Sequence, residues 1–260
     1  MKNPLVSILI ANYNNAEYIA DCINSLKRQS YKNIEIIFFD DRSKDNSIKK
    51  ITNFKEVKVI KNKEKTITGS FNQMKAFKEA HKLSKGEIIF LLDSDDYFHK
   101  KKIEEVVNFF IKNKKIKILF DYPFLKNKKI LTTVKKSKKK IFKKWPYIHP
   151  TSCISLKREI FEDIYKLVSI KKYPDIWIDF RICLYSKYIL NSFYIINKNL
   201  TYYRQVKTSI SSKFKYLGKK WWNRRMQAHN YLEYLLNKKK IRHIQGIDYN
   251  LTKIFNFFIK

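Results

Sequence analysis

The sequence predicts an α/β protein: a mostly parallel, twisted sheet flanked by helices, followed by a basic helical extension at the C-terminal end. Three observations carry this expectation. Apolar runs of strand length alternate with helix-period segments four times in about the first 115 residues, the rhythm of a parallel sheet covered by crossover helices. Polar clusters at residues 12–15, 40–41 and 93–96 follow three of those runs, at the strand ends where such sheets bind ligands. From about Lys215 the chain becomes helical, basic and aromatic, with Tyr216, Trp221, Trp222, Tyr231 and Tyr234.

Residues 5–11 are a short apolar run and predict a buried strand, ended by the polar turn Asn12, Tyr13, Asn14, Asn15. A helix follows, with Ile19, Cys22, Ile23 and Leu26 on one face. Residues 34–39 predict a second strand with Asp40 and Asp41 at its end. Ser43, Asp45 and Ser47 offer caps for a helix to about Phe54, and residues 57–60 predict a third strand. Residues 66–70 turn through Gly69 into a helix whose stripe is Met74, Phe77, Ala80 and Leu83. Gly86 opens GEIIFLLDSDDYF: a strand over residues 87–92, then Asp93, Asp95 and Asp96. A helix from near Lys101 carries Ile103, Val106, Val107, Phe110 and Ile111, and residues 116–120 predict the next strand.

Beyond residue 120 the pattern changes. The lysine-rich residues 135–144 read as an exposed loop or ribbon, either a solvated linker or a contact for anionic lipid or a phosphorylated acceptor. Residues 152–156 predict a strand and 157–167 a helix. Pro174 suits the first turn of a helix, PDIWIDFRICLYSKY, with Asp175 and Asp179 four apart on one face. Residues 193–196 and 200–203 predict two strands around a loop at 197–199. The chain thus divides into an α/β half over 1–120, a second half of the same domain over 121–212 and the extension over 213–260. No internal repeat is present.

Close carboxylates repel, and each raises the pKa of the next. A divalent cation bound among Asp93, Asp95 and Asp96 would remove that repulsion; the plain alternative is an acidic turn capping the next helix. Three strand ends that deliver polar groups to one edge favour a site.

Composition bounds the partners. The 260 residues hold 56 Lys and Arg against 23 Asp and Glu, a formal net charge of +33. Such a field draws nucleic acid, anionic lipid or phosphorylated substrates, although a bias toward Lys, Ile, Asn and Phe also accounts for it. Cys22, Cys153 and Cys183 are far apart without a C-x-x-C pair, so they read as buried thiols of a reducing compartment. The N-terminal apolar run is short for a signal peptide, and no run approaches the ~18 residues of a spanning helix. The expectation is a cytoplasmic protein, peripheral on the inner face of the cytoplasmic membrane. The absence of G-x-G-x-x-G and of a P-loop argues against dinucleotide and P-loop sites. The glycine-free ANYNNAEYI argues against a nucleotidyltransferase. Nucleic-acid binding, suggested by charge and interleaved aromatics, ranks below an enzyme.

Two segments, VSILIANYNNAEYIADCINSLKRQSYKNIEIIFFDDRSKDNS and SKGEIIFLLDSDDYF, carry a resemblance. The chain resembles the family-two glycosyltransferases of the GT-A fold, the bacterial polysaccharide and lipooligosaccharide enzymes, well over residues 4 to 115 and loosely over 148 to 205. The resemblance implies transfer of a hexosyl or N-acetylhexosaminyl group from a nucleotide-sugar donor, UDP-linked, to a saccharide or lipid-linked saccharide acceptor, with inversion. It assigns Ala11, Tyr13, Asp40 and Asp41 to base and ribose, Asp93 to the sugar-nucleotide, and Asp95, supported by Asp96, to Mg²⁺ or Mn²⁺. Two departures stand out: Arg42 replaces the usual glycine, and Ser70-Phe71-Asn72 replaces a loop ending in Arg-Asn, leaving Asn72 as the donor contact there. The acceptor hydroxyl needs a general base, and the matching acids are Asp175, preferred for its first-turn position, and Asp179. Arg204 or Lys207 would neutralise phosphate, although the histidine that often follows Tyr-Arg is absent, with Gln205, Val206 and Lys207 in its place. The basic C-terminal third would meet an anionic membrane surface.

Overall fold

Each strand of the first half is apolar at nearly every position because both of its faces are covered. A computed structural model describes residues 3–64, 69–127, 130–133, 145–206, 215–242 and 245–258. β1 (Val6–Asn12), β2 (Ile34–Asp40), β3 (Val57–Lys61) and β4 (Ile88–Asp93) lie in the order β3-β2-β1-β4, all parallel. Side chains alternate across a strand. Val6, Ile8, Ile10, Phe38, Phe90 and Leu92 therefore pack with α1 (Ile19–Lys27) and α4 (Lys102–Lys112) on one face. Leu9, Ile37, Ile89 and Leu91 pack with α3 (Gly69–Leu83) on the other. Each such buried side chain contributes about 1.5–3 kcal/mol. Gly86 is fixed by close approach: a Cβ there would meet the Ser7 backbone nitrogen at 2.5 Å and the Leu5 carbonyl at 2.8 Å.

The sheet continues through β8 (Ile154–Lys157), β6 (Ile118–Asn127), β9 (Tyr194–Arg204) and the short β5 (Tyr97–Phe98), with β7 (Ile130–Thr133) on β6. β8 is antiparallel to both β4 and β6, while β6 and β9 are parallel. β1–β4, β6 and β9 therefore run the same way, and the nine-stranded sheet is mostly parallel. α5 (Phe161–Val168) and α6 (Ile178–Leu184) cover the second half. α7 (Lys219–Lys238) packs Tyr231, Leu232, Leu235 and Leu236 onto Tyr173, Ile176 and Leu184, and α8 (Ile247–Phe258) lies against α7.

Several expectations are corrected. α2 (Ser47–Ile51) stops short of Phe54, and Asp45 serves its start by accepting from the Ser47 backbone N–H at 3.0 Å. Gly69 lies inside α3, and Leu83 and Ile111 are exposed rather than part of their stripes. The two strands around 197–199 are one strand, β9, which absorbs the irregularity as register shifts against Asp121 and Tyr122. No helix opens at Pro174; α6 begins at Ile178. The reason is Arg181, fully buried, whose guanidinium takes the carbonyls of Ile170, Tyr173 and Ile176. Asp175 is therefore in a turn and does not share a helix face with Asp179. The three cysteines are free and buried, which pushes their thiols up. Residues 135–144 and Lys207 lie outside the described residues. Among the described residues no helix is long and apolar enough to cross a membrane.

Candidate active site

The carboxyl ends of β2, β1 and β4 are tied together by one side chain. Asn12 donates from Nδ2 to Asp40 Oδ1 at 2.7 Å, and its Oδ1 accepts from Ser94 Oγ at 2.7 Å. Asp40 accepts further bonds from the Ser43 hydroxyl at 2.6 Å and the Ser43 backbone N–H at 3.0 Å. Its carboxylate is thus engaged in shaping the loop after β2. Asp41 accepts from Asn62 Nδ2 at 2.7 Å. Arg42, where a glycine is usual, sits at φ 60°, a left-handed conformation that costs a non-glycine residue about 1–2 kcal/mol. Tyr13 follows β1 and is 53% exposed at this edge, and the Ala11 carbonyl accepts from the Ser94 N–H at 3.1 Å.

The acids after β4 divide the labour. Asp96 is fully buried; one oxygen accepts from Ser152 Oγ at 2.6 Å and the other from the Arg204 backbone N–H at 2.8 Å. Asp93 accepts from Gln73 Nε2 at 2.6 Å. Asp95 accepts no bond from another side chain among the described residues. Burial raises the pKa of all three, and Asp95 adds its repulsion at Asp93 and Asp96. Arg204 does not reach outward as expected. Its guanidinium donates to the Asp95 carbonyl at 2.7 Å, pairs with Asp21 and lies over the rings of Tyr18 and Tyr97. It clamps the loop that carries the acids.

Beneath this loop is a buried ion pair. Lys102 Nζ donates to Asp121 Oδ1 at 2.7 Å, the Ser152 carbonyl at 2.6 Å and Thr201 Oγ1 at 2.6 Å. One lysine thereby joins α4, β6 and β9 to the 3₁₀ turn Thr151–Cys153, which places Ser152 against Asp96.

No group of three or more His, Cys, Asp or Glu among the described residues surrounds a point where a cation would sit. The donor chemistry fits a different arrangement. Mg²⁺-type ions are commonly held by one or two carboxylates plus substrate phosphates, and Asp95 is the carboxylate without a side-chain donor, in a cluster whose mutual repulsion a cation would relieve. Asp96 has a donor on each oxygen, from Ser152 and Arg204, and so is the more constrained of the two acids expected at the cation.

A cleft of about 520 Å³ lies beyond β9, lined by Trp145, Tyr147, Trp177, Asp179, Tyr203 and Arg224 among others. Asp179 keeps part of its surface open to it. One Asp179 oxygen accepts from the Phe180 N–H at 2.6 Å; the other accepts no side-chain bond among the described residues. Burial pushes its pKa up to about 6, against the Phe180 N–H and the Arg224 charge. The Asp179 charge is felt at Asp93 and at the Tyr203 hydroxyl, so cleft and acidic loop adjoin. Asp175 is bound to α7 instead: its N–H donates to Gln227 Oε1 at 3.0 Å, and Gln227 Nε2 donates to its carboxylate at 2.8 Å. Asp175 does not line the cleft.

Residues 7–165 match the family described as Glycosyl transferase family 2. The chain belongs to glycosyl transferase family 2. Over 105 residues it is 39% identical to the UDP-Glc:alpha-D-GlcNAc-diphosphoundecaprenol beta-1,3-glucosyltransferase WfaP of Escherichia coli, covering 40% of this chain and 41% of that one. The chain spans 41 to 64% of the length of the first curated relatives it matches. Among solved structures, it is similar to residues 1–349 of Staphylococcus aureus TarS in complex with UDP-GlcNAc, with TM-score 0.65 and 16% identity over 98% of this chain and 71% of that one. The mannosyltransferase PcManGT of Pyrobaculum calidifontis, in complex with GDP-Man and Mn²⁺, gives TM-score 0.58 and 13% identity over 99% and 70%. These likenesses establish the GT-A fold.

Within that family fold, Ala11, Tyr13, Asp40, Asp41, Asp93, Asp95 and Asp96 gather at one edge, and Asp179 faces them from the cleft. Asn72 lies in the first turn of α3, and its side-chain oxygen is buried without a partner among the described residues, an acceptor that a ligand donor would satisfy. Sequence reasoning missed Gln73, Ser152, Lys102 and Arg224. Two left a signal. Lys102, Val106 and Phe110 repeat every four residues, so a lysine occupies an apolar stripe, and Gln73 occupies the stripe of Phe77 and Ala80.

Proposed function

We propose that this chain is an inverting glycosyltransferase that moves a sugar from a UDP-linked donor to a lipid-linked saccharide during surface-glycan synthesis, with Asp179 as the general base. The observation that carries the reading is Asp179 itself. It is an acid with an open oxygen and a pKa of about 6, facing a cleft and electrostatically coupled to the acid that ends β4. A base with a pKa near the working pH combines availability with driving force.

In this mechanism the acceptor hydroxyl lies over Asp179, which takes its proton as the oxygen attacks the anomeric carbon. The bond from that carbon to the diphosphate breaks on the opposite face, so configuration inverts. Tyr13 offers an open ring to the base, and Asp41 and Asn72 offer polar contacts at the donor edge. Asp93, oriented by Gln73, faces the donor sugar, and Arg204 holds the Asp95 loop in place. When bound, a Mg²⁺ or Mn²⁺ ion held by Asp95 and diphosphate oxygens would supply Lewis-acid neutralisation of the leaving charge. The aromatic rings of Trp145, Trp177 and Tyr203 give the acceptor sugar apolar surface. Support for the donor and acceptor classes comes from the names of the Escherichia coli relative and the UDP-GlcNAc complex of TarS, and support for the cation from the Mn²⁺ complex of PcManGT. The work would take place at the cytoplasmic face of the inner membrane.

A donor screen tests the proposal. With Mn²⁺ and a diphospholipid-linked saccharide, one UDP-sugar should raise the Tm and release UDP with sugar transferred to the acceptor. Release of pyrophosphate, or release of a nucleoside diphosphate with no sugar on any acceptor, contradicts it.

A further inference from the structure

α8 is turned inside out for a surface helix. Two of its polar residues, Asp248 and Thr252, face the protein, while Asn250 and Lys253 are exposed. Asp248 pairs with Arg225, accepts from Trp145 Nε1 at 3.1 Å and lies 3.1 Å from His229 Nε2. Thr252 is fully buried and accepts from Arg225 Nε at 3.2 Å. The outward stripe is apolar. Ile247, Leu251, Ile254 and Phe258, spaced by four, three and four residues, are 79%, 48%, 51% and 78% exposed. That spacing is one face of a helix. Phe257 is also exposed, and Phe255 stacks on Trp222 of α7. A contiguous exposed apolar face of this kind marks a contact surface.

We infer that this face of α8 seats the enzyme on an anionic lipid bilayer, lying in its interface, and brings the cleft to a lipid-linked acceptor. This deepens the functional reading above and rests on it for the acceptor. Charge complementarity selects the occupant. Residues 215–258 carry ten Lys and Arg against Glu233 and Asp248, and Asp248 is already paired with Arg225. Lys220, Lys238, Lys239, Lys240, Arg242 and Lys253 are exposed on and around the hairpin. An apolar helical face flanked by cations fits the interface of an anionic membrane. A second copy of this chain would meet the same positive field, set by a formal charge of +33, and be repelled. Position links the surface to the chemistry. Arg225 lines the cleft and also holds Asp248 and Thr252 of α8, and Trp221, beside Trp222, lines the same cleft. A saccharide on a lipid anchor would therefore enter beside the helix that rests on the bilayer.

Flotation with vesicles tests this without reference to activity. The full chain should float with equal-part phosphatidylglycerol/phosphatidylcholine vesicles at physiological salt and not with phosphatidylcholine alone. The double substitution Leu251→Asp/Ile254→Asp, on exposed positions, should keep the circular dichroism spectrum and lose flotation by roughly ten-fold or more. It should transfer sugar to a short water-soluble acceptor at the native rate while transfer to a vesicle-borne acceptor falls by a similar factor. Asp179→Asn should float like the native chain. Flotation that depends on the stripe in a chain that transfers no sugar supports the surface and overturns only the proposed activity. No flotation of the native chain, equal flotation of the double variant, or a native dimer that the double substitution splits without any vesicle dependence overturns the inference.

Discussion

The edge formed by β1, β2 and β4 and the wall formed by α6 and α7 hold their acids in opposite ways. At the edge, Asp40 and Asp96 are saturated: neighbouring strand ends, the Ser43 loop and the Ser152 turn supply donors to both oxygens. At the wall, Asp179 has one backbone donor and aromatic surroundings, with a pKa pushed up to about 6 by burial. Burial raises the pKa of Asp96 as well as that of Asp179, so what separates these two is geometry: Asp96 has a donor on each oxygen, and Asp179 keeps one oxygen open. The difference teaches that the acids with donors on both oxygens hold the strand ends and loops together, and it is why the proposed mechanism gives its chemistry to the acids with an open oxygen, Asp95 and Asp179.

Substitutions can break that contrast. Asp95→Ala should give the largest loss, more than ~10³-fold in kcat with the Tm held within a few degrees, because electrostatic stabilisation of the leaving group is commonly the dominant catalytic effect. A smaller loss than ten-fold would place Asp95 with the structural acids. Lys102→Met should act on the fold instead. It strands Asp121, fully buried, without its cation, and loss of one partner of a buried pair costs about 3–5 kcal/mol; denaturant titration reads this directly. Unchanged stability would mean that the pair does not support the acidic loop. Asp175→Asn should be the mildest, with activity lowered by less than about ten-fold, since Gln227 can bond an amide in the same place.

The first half of the fold was open to sequence reading because its signals are local. Strand-length apolar runs, helix stripes and acids at strand ends each lie within about ten residues, and the sheet follows from them. The second half depends on contacts across long stretches of chain. Pro174 and the spacing of Asp175 and Asp179 argue for a helix, but Arg181 captures the carbonyls that a helix start at Pro174 would use. Asp175 therefore stays outside the cleft, and Asp179 lines it. Arg204 ends β9, one residue beyond the expected strand, and its clamp on Asp95 and Asp21 is invisible without the fold. Asp93 and Gln73, 20 residues apart, and Asp96 and Ser152, 56 apart, meet only once the sheet has formed.

The most direct test of Asp179 as the base is the pH dependence of kcat/KM, measured at saturating Mn²⁺ so that Asp95, also raised to about 6, stays ionised, for the native chain, Asp179→Asn and Asp175→Asn. A raised pKa keeps Asp179 protonated below about 6, so the base form is lost as pH falls through that value. Native kcat/KM should therefore rise about ten-fold per pH unit below 6 and level off above it. Asp175→Asn should keep that limb. Asp179→Asn should be ~10²–10⁴-fold slower and lack it. A limb that persists in Asp179→Asn, or disappears in Asp175→Asn, would contradict the account.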